Sequence, residues 1–599
     1  MKKNVVLFLL IALLSISPLL SANNGQKIRS LDDDTYEAIS YLYVKNGLSQ
    51  PSYTAPYSDN ELNLMLDKIN SLNLSKADQK VMNYINDKLD VNMDYEGKGI
   101  SFDWTFKTTI ESFAHPNIDG YTATNLDFAN RDIWVYDKIF HKPFLDLNFE
   151  AWSGDHVYSF ADFSVGNSPV LAKKFGTDKF RTNIILISPS TSSDLDFAIP
   201  YRAFGAFGGD YWSFEVGRDR LDWGCGETGN LTVSDNLYYH NLARFTTFSD
   251  NYKYTFVTSF FPHQNMYIND VASNNIDDDN TAGITPQQGN SQWNIQDGIR
   301  AFIAHRLEFR AFHEKVGLVL TEEIMYESET NCIDLRVLNP HGIYHDLYIR
   351  ANANSIIAFE ADYTPVKGIN IYGQALVDEF LLPNENNNNP SALGFLGGIK
   401  GTKEIAGYAG KASLEFAKTN PYLYLRDNME AADEENNKIQ HASDYGINFV
   451  VAIRDYTNNH GASYYDPEFL GYDYGGDALV FNANAGLKDY GKWSVEGNIF
   501  FMKHGTSDCY TCWAATEDTS AATTPTVTHP TDNHADLDAK DTRNAVSRTF
   551  VSGIHASYTC NKNFNVYGQI DFILINNYAN ISGDDLKDIQ LTSGFCYSI

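Results

Sequence analysis

The sequence predicts a mainly β fold: a transmembrane antiparallel β-barrel of about 18 strands with a small N-terminal helical domain. Three observations predict it. From residue 101 onward, apolar and polar residues alternate in about 18 segments, each long enough to cross a bilayer as a tilted strand of ~9–11 residues. The connections between these segments alternate between short turns and long polar loops. The chain also contains 37 Phe, 37 Tyr and 8 Trp, which suits the aromatic girdles of such barrels.

The composition excludes several classes of protein. A mean hydropathy of −0.34 excludes a helical membrane protein, and 43% hydrophobic with 20% charged residues excludes a disordered chain. The 76 acidic residues against 45 basic ones argue against nucleic-acid binding, since phosphate contacts need clustered Lys and Arg. Six cysteines in 599 residues are too few for a disulfide scaffold.

The N-terminus predicts a secretory signal peptide over residues 1–22. Lys2 and Lys3 form a short basic start, residues 5–20 are apolar apart from two serines and a proline, and Ser21-Ala22 supplies the small residues of a cleavage site. The apolar run is shorter than the ~20 residues of a spanning helix, so we expect cleavage rather than an uncleaved anchor. The mature chain is therefore expected to be exported.

Residues 23–95 are predicted to form the helical domain, placed in the periplasm. Apolar residues at helical spacing from Tyr36 onward predict a helix that ends near Gly47. Residues 58–61 form a capping-box pattern that begins a second helix, and residues 75–78 repeat the signal before a third. The helices are short and amphipathic, so they are expected to make a small satellite of the main core.

Residues 96–599 are predicted to form the barrel. Lipid requires that every backbone polar group pair internally, which a closed barrel achieves. The apolar face of each strand is then expected to meet acyl chains and the polar face to meet the lumen. The alternation is clearest in 101–111, 144–151 and 563–574. Similar patterns occur near 211–217, 252–260, 355–363, 412–418, 445–454, 493–503 and 549–559.

The connections are sorted by length. Tight turns such as 313–315 and 489–491 lie at one end of the strands, and long polar stretches such as 263–299 and 505–545 lie at the other. Short periplasmic turns and long outer loops are typical of outer-membrane barrels. The pattern therefore predicts the outer membrane of a diderm bacterium, with its lipid as a partner. The last segment alternates up to Ile599 and resembles the C-terminal strand that the outer-membrane assembly machinery recognises.

Residues 214–236 carry a motif. They read Phe-Glu-Val-Gly-Arg-Asp-Arg-Leu-Asp-Trp-Gly-Cys-Gly-Glu-Thr-Gly-Asn-Leu-Thr-Val-Ser-Asp-Asn. This stretch resembles the central signature of the Wzi-like capsule-assembly family of outer-membrane β-barrels, although Cys225 stands where that family commonly has Pro. The N-terminal stretch is also similar to the periplasmic helices of this family. The matching residues of the signature are Gly217, Arg218, Trp223, Gly224, Gly226, Leu231, Ser234 and Asn236.

The resemblance implies a lectin-like barrel that holds surface, capsular polysaccharide at the outer face, and it brings no catalytic residues. From the residues alone, Trp-Gly-x-Gly after a strand is a tight turn that approaches other backbone closely. Asp235 and Asn236 are suited to cap or turn the segment that follows. We expect this loop to fold into the lumen as a constriction or plug rather than to contact glycan directly.

A second stretch mixes aromatic rings with carboxylates. Rings can stack on sugar faces while carboxylates accept hydrogen bonds from hydroxyl groups, so the stretch is a candidate glycan platform. A loop that packs its own aromatics over the barrel mouth is the alternative. The candidate residues are Tyr464, Tyr465, Asp466, Tyr472, Asp473 and Tyr474.

Cys509 and Cys512 are the candidate disulfide. A local disulfide in an oxidising exterior is favoured over a redox pair, which needs a βαβ setting, and over a zinc site, because the nearby histidines match no standard ligand spacing. Cys560 and Cys596 flank the last two hairpin strands, and only their distance decides whether they pair. No metal and no cofactor are expected.

Three functions stay open at this point. The first is non-enzymatic retention of surface polysaccharide, since no nucleophile elbow, P-loop, HExxH or dinucleotide fingerprint appears. The second is a porin-like diffusion channel, water-filled unless loops or helices fill it. The third is a surface adhesin that uses the loops 263–299 and 505–545. Lumen carboxylates would make the channel prefer cations, and they are Asp103, Glu111, Asp146, Glu150, Glu215 and Glu360.

Overall fold

The computed structural model describes most of the chain from residue 24 to the C-terminus. The signal peptide predicted over residues 1–22 and the half-cystine predicted at Cys512 lie outside the described residues. The described ranges are 24–89, 95–96, 99–114, 142–165, 180–184, 201–263, 298–328, 332–340, 344, 353–379, 391–425, 447–456, 463–509, 524–527 and 543–599.

Three helices precede the sheet: α1 (Thr35–Asn46), α2 (Asp59–Asn70) and α3 (Lys76–Leu89). Helix α1 ends at Gly47, whose φ of 92° is the left-handed conformation that glycine adopts readily. The predicted capping box begins α2, where Ser58 accepts from the backbone N–H of Glu61. The boundaries predicted for the helices are thus confirmed. No helix in the described part of the chain is long and apolar enough to span a bilayer.

Within the described ranges, 18 strands form a closed antiparallel barrel, which confirms the predicted fold class. Each strand pairs with its neighbour along the chain, and the last strand pairs with the first, Leu591 opposite Ala114. Closure leaves no free sheet edge. The strands are β1 (Ser101–Ala114), β2 (Leu145–Ser153), β3 (Val157–Val165), β4 (Ala203–Gly209), β5 (Trp212–Asp219), β6 (His240–Ser249), β7 (Tyr252–Phe261), β8 (Ile299–Ala311), β9 (Val316–Ser328), β10 (Ala353–Val366), β11 (Ile369–Glu379), β12 (Ala392–Ile405), β13 (Tyr408–Thr419), β14 (Ala478–Asp489), β15 (Trp493–His504), β16 (Ser547–Asn561), β17 (Phe564–Asn576) and β18 (Asp585–Ser598).

The alternation places large apolar side chains on the outside of the barrel. Trp104, Phe149 and Phe572 belong to the three segments where the pattern was clearest, and each is about half exposed. Their neighbours along each strand, such as Asp103 and Asp571, are less exposed and face the lumen. A belt of exposed apolar side chains around a closed barrel is the surface that acyl chains solvate.

The strand predicted near 445–454 is not part of the barrel, so this prediction is wrong. Residues Val450–Tyr456 pair with Ser463–Phe469 in a separate two-stranded sheet. Val451 and Ile453 are buried together with lumen side chains. The reason is visible in the sequence: residues 449–453 are a continuous apolar run, which is typical of a strand covered on both faces, whereas a barrel strand alternates.

The helices lie at the short-turn end of the barrel. The Lys80 ammonium contacts the Asp489 carboxylate at 2.6 Å, and the Gly368 N–H donates to the Val44 carbonyl at 2.8 Å. The hydrophobic core of the helices also includes the barrel residue Tyr490. The helical segment therefore packs directly on the turns between strands.

The segment that joins α1 to α2 enters the lumen. Residues Thr54–Ala55 pair with Asp222–Trp223, which follows β5. The Arg306 guanidinium donates to the Thr54 hydroxyl at 2.7 Å, and the Tyr53 N–H donates to the Glu308 carboxylate at 3.3 Å. The N-terminal part of the chain thus fills one part of the barrel interior from the short-turn end.

Several lumen carboxylates that were expected to favour cations are paired with basic side chains. Glu150 contacts Lys27 at 2.6 Å, Glu215 contacts Arg244 at 2.7 Å, and Glu360 contacts Arg306 at 2.5 Å. A charge paired at this distance contributes little to the field along the lumen. The expected cation preference therefore loses the support of these three residues.

Candidate functional site

The motif begins where β5 reaches the long-loop side of the barrel. Gly217 lies opposite Phe204 with a φ of 141°, and a β-carbon at this position would come within 2.6 Å of the Phe204 α-carbon. Only glycine permits this approach between the two strands. The next residue, Arg218, places its guanidinium 3.9 Å from the ring centre of Tyr239, a cation–π contact that holds the start of the loop against β6.

The tryptophan of the motif is buried inside the barrel. The backbone N–H of Trp223 donates to the Val233 carbonyl at 2.9 Å, and the backbone N–H of Gly224 donates to the Tyr53 carbonyl at 2.8 Å. The Trp223 ring packs near Phe302 of β8, with 6.4 Å between the ring centres. The motif and the N-terminal segment therefore share one folded unit inside the lumen.

The side chain of Asn230 organises the glycine turn. Its oxygen accepts from the Gly226 N–H at 2.9 Å and from the Gln374 amide at 2.7 Å, and its amide donates to the Asp222 carboxylate at 2.6 Å. A β-carbon on Gly224 would lie 2.0 Å from that oxygen. The glycine is therefore required by close approach, as the sequence predicted, whereas the role of Asn230 was missed.

Burial and the neighbouring charge of Asp235 raise the pKa of Asp222 to about 8. At neutral pH the Asp222 carboxyl is then mostly protonated, which reduces the cost of keeping it inside the loop. Asp235 itself is about half exposed and accepts from the Arg220 guanidinium at 3.2 Å. Of Asp222 and Asp235, only Asp235 is therefore an exposed carboxylate.

Glu415 of β13 anchors the tip of the loop. One carboxylate oxygen accepts from the Glu227 N–H at 2.8 Å and from the Tyr372 hydroxyl at 2.7 Å. The other accepts from the Thr228 N–H at 2.9 Å and from the Thr228 hydroxyl at 2.6 Å. Glu415 was not predicted as a site residue. Its only mark in the sequence is its position on the lumen face of the strand predicted near 412–418.

The end of the motif joins the second candidate stretch. The Ser234 N–H donates to the Leu470 carbonyl at 3.1 Å, and the Asn236 amide donates to the Phe469 carbonyl at 2.7 Å. The Ser234 hydroxyl also donates to the Asp473 carboxylate. Leu231, fully buried, packs in the same core. The structure thus brings the two sequence-predicted sites, the motif and the aromatic stretch, into one assembly in the lumen.

A cleft lies above this assembly at the long-loop end of β15 to β17, with about 790 Å³ of space when the solvent at its mouth is included. Two tyrosine rings, Tyr474 and Tyr578, line it beside the polar side chains of Asp473, His504 and Asn580. The Arg543 guanidinium contacts the Asp508 carboxylate on its wall. The ring nitrogens of His504 and the amide nitrogen of Asn580 already bond to backbone carbonyls. The cleft therefore offers two flat rings beside the Asp473 carboxylate, a combination suited to a hydroxyl-rich ligand.

The predicted glycan platform is only partly at this cleft. Asp473 and Tyr474 line it. Tyr472 does not, because it is fully buried and its hydroxyl lies 3.0 Å from the Thr228 hydroxyl. It supports the motif loop from above. The remaining three residues lie on the strand Ser463–Phe469, and the structure does not describe the side chains of Tyr464, Tyr465 and Asp466.

The cysteines divide into separate environments. Cys509 lines the cleft, and its predicted partner lies outside the described residues, so that disulfide stays a prediction. Cys560 and Cys596 are not bonded to each other. They lie on β16 and β18 with β17 between them, a separation of about 9–10 Å, which exceeds the span of a disulfide. In the described part of the chain no three His, Cys, Asp or Glu residues are grouped to hold a metal ion.

Comparison with known proteins gives a fold and no sequence family. No family model matches the sequence, and no curated protein matches it. Among solved structures, the chain is similar to Wzi of Escherichia coli, an outer membrane protein involved in group 1 capsule assembly and described as a carbohydrate-binding β-barrel. The two share 14% identity over 95% of this chain and 98% of that one, with a TM-score of 0.53.

Two further solved structures, the outer membrane channel DcaP and OccD3, are more distant. DcaP of Acinetobacter baumannii shares 11% identity, covers 85% of this chain and all of its own, and gives a TM-score of 0.32. OccD3 of Pseudomonas aeruginosa shares 10% identity over 83% of this chain and 91% of its own, with a TM-score of 0.37. The likeness to Wzi establishes that this chain has the fold of an outer-membrane β-barrel.

Proposed function

We propose that this outer-membrane barrel binds surface polysaccharide non-catalytically at its long-loop end. The observation that carries the proposal is the cleft between β15 and β17, where two tyrosine rings and the Asp473 carboxylate converge. Sugar rings have apolar faces that stack on aromatic rings and hydroxyl groups that need donors and acceptors. A site with both at the mouth of a barrel is suited to hold a polysaccharide chain against the cell surface.

The barrel interior supports this proposal by making the cleft rigid. Asp473 is held by the Ser234 hydroxyl, and the carbonyl of Tyr474 lies 2.9 Å from the His504 ring nitrogen. The Tyr474 ring also packs at 5.6 Å from the Phe500 ring centre. Side chains held in place before binding lose little conformational freedom when a ligand arrives. We propose that this support is the purpose of the motif loop, and that the glycan contacts the cleft rather than the motif.

The proposed function also requires a defined insertion and orientation of the barrel in the outer membrane. The described strands would be inserted by the outer-membrane assembly machinery through the C-terminal strand, after removal of a signal peptide. The helices at the short-turn end would then lie in the periplasm, and the cleft would face the exterior. The Wzi-like family offers the same arrangement, and the structural likeness to Wzi supports the comparison at the level of the fold.

A binding assay with two variants tests the proposal. Surface polysaccharide extracted from the source cells is immobilised, and the detergent-solubilised protein is passed over it. Tyr474→Ala and Tyr578→Ala each remove one ring from the cleft and are expected to weaken binding about two- to tenfold, since a stacked ring contributes about 0.5–1.5 kcal/mol. Tyr211→Ala is the control, because Tyr211 is exposed at the opposite, short-turn end. Equal binding by all variants would reject the cleft as the site, and no binding by the unmodified protein would reject the function.

A diffusion channel is the second candidate, and one observation favours it. Asn498 points into the lumen from the middle of β15 and is exposed, and the lumen-facing Asn484 opposite it is partly exposed. Polar side chains in contact with solvent inside a barrel are typical of channels. Conductance of the unmodified protein in a planar bilayer tests this candidate; an absence of current at high protein dose would reject a permanently open pore.

A further inference from the structure

The lumen is filled on one side of the barrel and solvated on the other. On β6 to β11 the inward side chains are buried against the N-terminal segment and the motif loop. The inward side chains of β18 are buried at Asp588, Gln590 and Thr592. On β14 to β17 and on β1 and β2, several inward side chains are exposed or partly exposed, and this part of the lumen is named the open sector. Its lining is polar and consists of Asn484, Glu496, Asn498, His555, Ser557, Gln569, Thr105, Lys107, Asp146 and Asn148.

The open sector is closed toward the long-loop end by apolar side chains. Phe500, Val551 and Ile573 lie opposite one another on β15, β16 and β17 and form one continuous row across the lumen wall. Each is at most 5% exposed. This row, named the apolar row, lies directly above the level of Asn498 along the same strands. Along β15 the lumen wall therefore changes from polar and exposed at Asn498 to apolar and buried at Phe500, the next inward-facing residue.

A second apolar layer and the cleft lie on the other side of the apolar row. Met502 and Ile575, both buried, belong to the next inward-facing level and also line the cleft floor. The Tyr474 ring packs against Phe500 from the interior. The glycan cleft and the open sector are thus separated by two layers of apolar side chains that belong to the same hydrophobic core as the motif loop.

The short-turn end of the open sector lies at the turn between β16 and β17. The described contacts of the N-terminal segment reach the turns after β2, β4, β8, β10 and β14 and the end of β12 at Glu404. The turn between β16 and β17 is exposed at Lys562. A solute entering beside this turn would pass the inward ring of Tyr567, whose hydroxyl donates to the Glu111 carboxylate at 2.9 Å, and then the polar side chains of the open sector before it reached the apolar row.

We propose that the open sector is a half-channel for water and small hydrophilic solutes, closed at the long-loop end by the apolar row with Phe500 at its centre. A narrow apolar constriction excludes water and ions by dewetting, without a charged gate. This inference rests on the second candidate function, and it adds the path, the location of the barrier and the expectation that the unmodified protein is closed.

Conductance of variants in planar bilayers tests the proposal, with the full chain throughout and potassium chloride as the probe. The unmodified protein is expected to stay at the bilayer baseline, and Phe500→Ala is expected to give discrete current steps. Phe302→Ala is the matched control, because Phe302 is an equally buried lumen phenylalanine in the filled part, packed near Trp223. It removes the same volume and is expected to stay at baseline.

Each outcome decides the matter. Steps from Phe500→Ala alone support the proposal. Steady current through the unmodified protein would overturn the barrier and leave the channel candidate standing. Current through both variants, or through neither, would overturn the assignment of the barrier to the apolar row. Folding is checked by the slower migration of heated barrels in gels, and Ile573→Ala replaces Phe500→Ala if the latter does not fold.

Discussion

Replacement of Glu415 by glutamine is expected to release the motif loop from the barrel wall. The Glu415 carboxylate accepts four hydrogen bonds, two at each oxygen, from the loop and from Tyr372. An amide keeps one oxygen and presents a donor at the other position. That donor faces a backbone N–H, of Glu227 or of Thr228, which cannot reverse its role. The hydroxyl groups of Thr228 and Tyr372 can rotate to suit the amide. The substitution therefore removes mainly one backbone hydrogen bond and the negative charge that strengthens the others.

The magnitude follows from these bonds. A hydrogen bond to a charged group contributes about 1.5–3 kcal/mol and a neutral one about 0.5–1.5 kcal/mol, so losing one bond and the charge on the others costs about 2–4 kcal/mol. Hydrogen exchange measured by mass spectrometry reports the opening of the segment 221–240 directly. At tenfold per 1.4 kcal/mol, the exchange of this peptide is expected to be about 30- to 1000-fold faster in Glu415→Gln.

The control is a second glutamate on the lumen wall. Glu496 of β15 belongs to the open sector and is partly exposed, so Glu496→Gln is expected to change the opening free energy of the segment 221–240 by less than about 0.5 kcal/mol. Unchanged exchange in Glu415→Gln, or an equal increase in both variants, would refute the reasoning that Glu415 holds the loop.

Three further outcomes are expected. Gly224→Ala places a β-carbon against the Asn230 side chain at a φ that non-glycine residues avoid, and it should lower the midpoint of thermal unfolding by a destabilisation of about 1–3 kcal/mol; an unchanged midpoint would contradict the close approach. Lys253→Met leaves the buried carboxylate of Glu61 without its cation, at a cost of about 3–5 kcal/mol, and should make α2 accessible to protease in the folded barrel. Although burial opposes it, the charges of two barrel lysines lower the pKa of Glu37 to about 2 from 4.5. The stabilisation is therefore complete above about pH 4.5 and lost toward pH 2, so Glu37→Gln should melt earlier than the unmodified protein at pH 6 and equally near pH 2; a constant difference across this range would contradict it.

The sequence predicted the parts of the fold that local chemistry determines. Lipid on one face and the lumen on the other impose a period of two, which is why the strands around Trp104 and Phe572 were recognisable. The capping box at Ser58 predicted the start of α2, because its hydrogen bonds join residues three apart.

The filling of the lumen could not be predicted in the same way. The bond from Thr228 to Glu415 joins residues 187 apart, and the bond from Leu231 to Gln374 joins residues 143 apart. The wall residues of these two bonds, Glu415 and Gln374, follow the same alternation as the other polar residues on inward faces. The error near 445–454 has a different, local origin: the continuous apolar run at 449–453 marked a strand covered on both faces, whereas a strand of the barrel wall alternates.

The candidate site was predicted in part. The motif glycines were assigned to a tight turn in the lumen, and the structure places them there. The aromatic stretch was assigned to a glycan platform as a whole, yet Tyr472 is buried and Tyr474 lies at the cleft. Tyr578, Arg543 and Asn580 were not singled out, because they come from other loops and carry no local motif.

Reaction of the native cysteines with a water-soluble maleimide, read out peptide by peptide in the folded protein, tests the central claim that the motif lies inside the barrel. Cys225 is buried within the motif, and burial raises the pKa of its thiol, which further lowers its reactivity. Cys332 is exposed and serves as the internal reference. Cys332 is expected to be alkylated quickly, and Cys225 is expected to react only after unfolding. Equal rates at the two thiols would show that residues 221–236 lie in solvent, and the account would be contradicted.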